Sequence, residues 1–328
     1  MSKRTLDGFF TAASAKKPRL SQEISPQTSP VSTTPAKTTN HATYPWPLPH
    51  LPDRIADELE SLVTAEGKVI DNQPDLDMLY YQPFIPHSIE RALFEFLRSE
   101  LFFYRIKYTI KRFGTETQIN TPRYTTVFGL DDTSRFITEP PSIVEASEPS
   151  KSVAKAKYKC QPRPIPECLD FLRRVTEAAT DTKYNFCLVN YYATGADSIS
   201  FHSDDERFLG PDPAIASFSL GAKRDFLMKH KPFPPKDGVT TPETTPIKLP
   251  LTSGDMVLMR GRTQSNWLHS IPKRKGGDAD KGRINITLRR AMVPYGTENY
   301  YQYNVGNGGV YKWCKIQKEM IPWTTTSI

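Results

Sequence analysis

The chain has little of what a stapled secreted protein or a membrane protein needs. Only four cysteines occur in 328 residues (Cys160, Cys168, Cys187 and Cys314), with no CxxC pair and no zinc-type spacing. A disulfide scaffold is thereby excluded, and a chain of this length can bury a core without one. No apolar run is long enough to span a bilayer as a helix. The opening Met1-Ser-Lys-Arg-Thr-Leu6 lacks the apolar region of a secretory signal. The expectation is a soluble intracellular protein with free thiols. No internal repeat is visible, so nothing points to a repeat array.

Charge is present but unevenly placed. The formal net charge is +7, and residues 1–40 hold six basic and two acidic side chains, a balance of +4 that leaves +3 for the other 288 residues. Strong attraction of the folded part to nucleic acid must therefore come from local patches. Composition alone leaves DNA, RNA and protein substrates open.

Residues 1–43 read as a disordered basic tail, because the Ser/Thr/Pro-rich 21–40 stretch has too little to bury to offset its ordering entropy. Within the tail, Leu6, Phe9 and Phe10 can share one side of a single helical turn. This segment resembles the PCNA-interacting peptide pattern Q-x-x-L-x-x-F-F, with Lys3 in place of the glutamine, and implies binding to a sliding clamp; the alternative is an unstructured tail. Lys16-Lys-Pro-Arg19 could serve as a nuclear import signal or could simply be solvated.

The folded part, 44–328, should begin near Tyr44. Apolar spacing predicts helices over 53–65, 88–101 and 167–179, and strand-like pieces over 103–111 and 124–128. The Pro/Ser/Lys-rich 138–157 stretch reads as a mobile surface loop, and 232–246 as a long hairpin insertion. From Phe186 the texture changes to eight short strands: 186–192, 198–203, 215–220, 224–230, 247–251, 256–260, 267–271 and 283–290. The expected fold is mixed α+β, a double-stranded β-helix (jelly roll) with an N-terminal helical buttress.

His202 and Asp204 are separated by one residue, so on a strand both project from one face while Ile199 and Phe201 pack on the other. His269, in Trp267-Leu-His-Ser-Ile-Pro272, is the best-placed third ligand. Two imidazoles and a carboxylate can hold one face of Fe(II) and leave positions open for a cosubstrate and O₂. A zinc hydrolase could use the same ligand types. The segment Arg283-Ile-Asn285-Ile-Thr287-Leu-Arg289 alternates a polar face with an aliphatic one. It is either a strand with its polar face in water or a polar barrel mouth whose two guanidiniums grip a dicarboxylic acid. A zinc hydrolase has no evident use for such a clamp; a 2-oxoglutarate oxygenase does.

With Asn190-Tyr-Tyr192, His202-Ser-Asp204-Asp205-Glu206, His269 and the R-x-N-x-T-x-R of 283–289, the chain resembles the AlkB family of Fe(II)/2-oxoglutarate dioxygenases, nearest the branch that repairs alkylated duplex DNA in nuclei. The resemblance runs from about Leu79 to Met292, with the jelly roll over 186–292 and a C-terminal extension over 293–328 outside it. It implies His202, Asp204 and His269 as iron ligands, and Asn190, Tyr192, Arg283, Asn285 and Arg289 around 2-oxoglutarate. Arg283 would hold the distal carboxylate, and Arg289 would steady the chelating end.

The resemblance also implies Asp205 and Glu206 facing the damaged base, although both could be ordinary surface carboxylates. A nucleotide-recognition lid over 103–137 would include Arg123. Phe136 would stack on the flipped base, and Arg112-Phe113-Gly114 would form a finger filling the hole it leaves. Phe113 could equally be a core aromatic, and Arg112 departs from the aliphatic residue of the family's duplex-repair members. The implied reaction consumes O₂ and 2-oxoglutarate, yields succinate and CO₂, and removes methyl groups from 1-methyladenine or 3-methylcytosine as formaldehyde. The rivals are an oxygenase of RNA or protein, and an inactive clamp-tethered DNA-binding module. A monomer is expected.

Overall fold

A computed structural model describes residues 48–105, 107–112, 115–137, 142–154, 162–233, 242–292 and 309–323. The tail with Leu6, Phe9 and Phe10, the residues Phe113 and Gly114, and most of the C-terminal extension lie outside the described residues.

Two antiparallel sheets dominate. The larger has ten strands, with Arg283–Arg289 between Ile215–Gly221 and Phe186–Tyr192 near its centre. The smaller has four strands in the order Ile199–His202, Trp267–Ile271, Arg224–His230, Ile247–Leu251. One apolar cluster joins the inner faces of both sheets: Val127, Leu188, Ile215 and Met259 from the larger, Phe226, Met228, Trp267 and Ile271 from the smaller. A second cluster fills the other face of the larger sheet, where Ile284, Ile286 and Leu288 pack with Leu59, Leu93, Leu97, Leu169 and Leu172 of the helices. This is the jelly roll with a helical buttress.

The helices follow their apolar stripes. Glu90–Glu100 buries Leu93, Phe94 and Leu97; Glu167–Thr180 buries Leu169, Leu172 and Thr176 and ends at Asp181 in the left-handed region (φ 49°). The first helix spans only Asp53–Glu60, not 53–65. Ser61 closes it, its hydroxyl donating to the Asp57 carbonyl at 2.8 Å, and the next residues include β-branched Val63, 92% exposed with nothing to bury against.

Two other expectations change. The 138–157 stretch is not wholly loop: Ser142–Glu145 pairs with Ser134–Ile137 and buries Ile143 and Val144, the apolar pair inside the Pro/Ser-rich run. Phe201 does not pack inward with Ile199. The register of Ile199–His202 against Trp267–Ile271 shifts between Ile199 and His202. That irregularity breaks the alternation, so Phe201 is 40% exposed beneath the Lys229 ammonium while Ile199 turns inward.

Because Arg283–Arg289 is buried on both faces, Ile286→Ala should cost roughly 2–5 kcal/mol. Urea unfolding measures this; a loss well under 1 kcal/mol would place Ile286 outside the core.

Candidate metal and dicarboxylate site

The smaller sheet brings the two histidines together. His202 and His269 are cross-strand partners, with ring centroids 4.2 Å apart. Asp204 lies just past the end of its strand. Its Oδ1 is 3.9 Å from His202 Nε2 and its Oδ2 is 3.8 Å from His269 Nε2, too long for hydrogen bonds and close enough to share a cation. One ligand atom from each of the three residues falls within 4.8 Å of the others.

Protonation suits ligation. His202 Nδ1 is 2.9 Å from the Ser200 carbonyl. A carbonyl only accepts, so Nδ1 carries a proton and Nε2 is the nitrogen left facing Asp204. Burial pushes the His269 imidazole from about 6.5 down to about 3, with Asp204 opposing and His202 and Arg289 adding. Burial alone would raise the Asp204 carboxyl, but Arg289, His269 and His202 outweigh it and hold the group below the usual carboxylate range. Two imidazole nitrogens and one carboxylate converge, the donor set of a facial Fe(II) site.

A cavity of about 240 Å³ opens beside the triad, lined by Asn190, Tyr192, Arg283, Asn285, Thr287 and Arg289 together with all three ligand candidates. The polar face of the Arg283–Arg289 strand thus faces this cavity and not bulk water. Arg289 is 2% exposed and its Nη2 is 3.0 Å from Asp204 Oδ2. Arg283 is 1% exposed; its Nη2 donates to Ser219 Oγ at 2.6 Å, while its Nε and Nη1 have no hydrogen-bond partner among the described residues. Its guanidinium lies 5.3 Å from the Tyr192 ring centroid. Burial draws its pKa down to about 10, with Tyr192 opposing, so it remains a cation at neutral pH. A buried cation with two idle donors is costly unless an anion completes it. The residues therefore fit both a divalent metal and an acidic cosubstrate.

The other predicted residues divide. Arg123 lines the cavity and donates from Nε to Asn190 Oδ1 at 3.0 Å; Asn285 Nδ2 donates to Ser217 Oγ and to the Phe218 carbonyl. Glu206 lines the cavity with Oε2 3.6 Å from Arg289 Nη1. Asp205 is exposed, outside the lining, and paired with Lys231 at 2.7 Å. Phe136 packs against the inter-sheet cluster. Arg112 ends a strand paired with Thr115–Asn120. Sequence reasoning missed Ser217, Ser219, Gln264, Phe226 and Met259. Only the Ser217-Phe-Ser219 alternation, two small polar residues on one face of a buried strand, could have signalled two of them.

The chain matches the 2OG-Fe(II) oxygenase superfamily over residues 77–289. It is 30% identical over 257 residues to "DNA oxidative demethylase ALKBH2" of Arabidopsis thaliana, covering 71% of this chain and 75% of that protein. It is also 37% identical over 132 residues to "DNA oxidative demethylase ALKBH2" of Homo sapiens, covering 40% of this chain and 49% of that protein. With the human "Alpha-ketoglutarate-dependent dioxygenase alkB homolog 3" it shares 40% identity over 118 residues, 36% of this chain and 40% of that protein. The chain thus spans three quarters of the plant relative and about half or less of the human ones. It belongs to the 2OG-Fe(II) oxygenase superfamily and, within it, to the AlkB family, whose cofactors are Fe(II), 2-oxoglutarate and O₂.

The His269 shift fixes a pH dependence. Its folded pKa lies below its ordinary value, so the unfolded chain takes up the proton first and stability falls as pH drops. For metal-free protein the loss starts near pH 6.5 and continues toward pH 3, at up to about 1.4 kcal/mol per pH unit. Urea midpoints between pH 7 and 5 should fall more steeply for wild type than for His269→Asn; parallel slopes would contradict a neutral buried imidazole.

Proposed function

We propose that this protein oxidatively demethylates alkylated bases in DNA, with 1-methyladenine and 3-methylcytosine as substrates. The observation that carries the reading is one cavity shared by the His202/Asp204/His269 cluster and a buried arginine with two idle donors. The names of the relatives supply the substrate class.

In this reading His202, Asp204 and His269 hold Fe(II). Arg283 receives the distal carboxylate of 2-oxoglutarate, and Asn190, Tyr192 and Asn285 line its path. Arg289 keeps Asp204 ionised and turned toward the metal. The bound metal supplies the O₂ activation that hydroxylates the N-methyl carbon while 2-oxoglutarate becomes succinate and CO₂. The N–C bond of the hydroxymethyl base then breaks, releasing formaldehyde and leaving the ring nitrogen unsubstituted. Methylation at that nitrogen blocks pairing, so the lesion is the base easiest to extrude.

Glu206 and Arg123 line the cavity wall, and in this reading Glu206 accepts from an exocyclic amino group of the base. Asp205, Phe136 and the Arg112-Phe113-Gly114 finger belong to the DNA-facing side in this proposal, within a lid over 103–137 of an oxygenase domain spanning 44–328. The 1–43 tail, through Leu6, Phe9 and Phe10, would tether a monomeric enzyme to a sliding clamp in the nucleus and raise its local concentration on DNA.

His202→Ala should abolish formaldehyde release from methylated duplex DNA while circular dichroism stays unchanged; retained turnover would remove the ligand assignment. Arg283→Ala should raise the KM for 2-oxoglutarate roughly 10- to 100-fold, the worth of charge-assisted hydrogen bonds. An unchanged KM would remove the carboxylate role. Duplex DNA, single-stranded DNA and RNA bearing one lesion should rank with DNA ahead; RNA preference would favour the rival substrate.

A further inference from the structure

Asp204 stands beyond the last residue of the Ile199–His202 strand, so its backbone N–H has left the sheet ladder. That N–H donates at 3.0 Å to the side-chain Oε1 of Gln264, sixty residues away in sequence. Gln264 is 1% exposed, on the short Thr263–Asn266 helix. An amide at such a position is costly unless its polar atoms are used, and an aliphatic side chain would fill the space without that cost. Among the described residues its Nε2 meets only the Met259 sulfur, 3.2 Å away, a weak acceptor. The strong hydrogen bond of this side chain is therefore the one to the Asp204 backbone.

The helix that carries Gln264 is itself pinned. Thr263 Oγ1 donates to the Asp77 carbonyl at 3.0 Å and accepts from the Asp77 N–H at 2.9 Å, and Arg260 Nη2 meets the Asp77 carboxylate at 2.8 Å. The same helix steadies the next residue of the ligand segment. Lys231 Nζ contacts the Gln264 carbonyl at 3.4 Å and Asp205 Oδ2 at 2.7 Å, while its backbone N–H donates to the Asn266 carbonyl.

We propose that Gln264 is a positioning residue for the metal site: by holding the Asp204 N–H it fixes the backbone torsions that aim the Asp204 carboxylate between the two imidazoles. The inference rests on the reading that His202, Asp204 and His269 hold the metal. An acceptor here acts on a ligand as a second-layer partner does, by orientation and not by contact with the ion.

The test is Mn(II) affinity of the full chain, read by electron paramagnetic resonance in the presence of 2-oxoglutarate. Gln264→Met keeps the length of the side chain and removes the acceptor, and should weaken Mn(II) binding roughly 10- to 100-fold, whereas Gln264→Glu keeps an acceptor and should stay within about threefold of wild type. Should the methionine variant fail to fold, Gln264→Asn, which withdraws the acceptor by one methylene, takes its place with the same expectation. Wild-type affinity in the methionine or asparagine variant, or equal weakening in all variants including Gln264→Glu, would overturn the proposal. His202→Ala separates the two readings. If it loses Mn(II) while Gln264→Met does not, the positioning role fails and the metal site stands; if His202→Ala also binds normally, the metal site itself fails.

Discussion

A buried carboxylate is tolerable only in the company of cations or donors, and the site is built around one. Asp204 is 5% exposed and sits against the Arg289 guanidinium at 3.0 Å, with an imidazole on either side. That ion pair lets Asp204 remain ionised inside the sandwich. Truncating either partner would strand the other charge in a low-dielectric interior, at a cost of several kcal/mol. The two histidines are prepared differently: the hydrogen bond to Ser200 orients the His202 ring with Nε2 toward Asp204, and burial keeps His269 neutral.

The fold earns this arrangement by giving the Arg283–Arg289 strand two buried faces. Its aliphatic residues pack on the helical buttress, and its polar residues enter the gap between the sheets. The same strand therefore ties core stability to the cavity wall. Arg289 stands beside Asp204 at one end of that polar face and Arg283 at the other, both lining the cavity. Ser219 holds Arg283 from the neighbouring strand and leaves two of its donors unused.

Much of this was legible in the sequence. Strict alternation in Arg-Ile-Asn-Ile-Thr-Leu-Arg and the His-x-Asp spacing are backbone-periodic signals, and all eight jelly-roll strands fall within a residue of their expected ends. The Ile199–His202 strand is shorter than its expected 198–203 by one residue at each end. What resisted reading depends on register and on distant partners. The irregularity that turns Phe201 outward has no composition of its own. Gln264 looks like any polar residue in a turn until the fold sets it under Asp204. Glu206 and Asp205 are adjacent in sequence, yet one lines the cavity and the other pairs with Lys231 on the surface.

The central claim is that one cavity holds a metal on His202, Asp204 and His269 and the far end of a dicarboxylate on Arg283. A crystal structure of the protein with Mn(II) and 2-oxoglutarate tests it most directly. The ion should be bonded to those three side chains, with the distal carboxylate hydrogen-bonded to Arg283 Nε or Nη1. An ion bound elsewhere, or a cosubstrate whose distal carboxylate ignores Arg283, would contradict it.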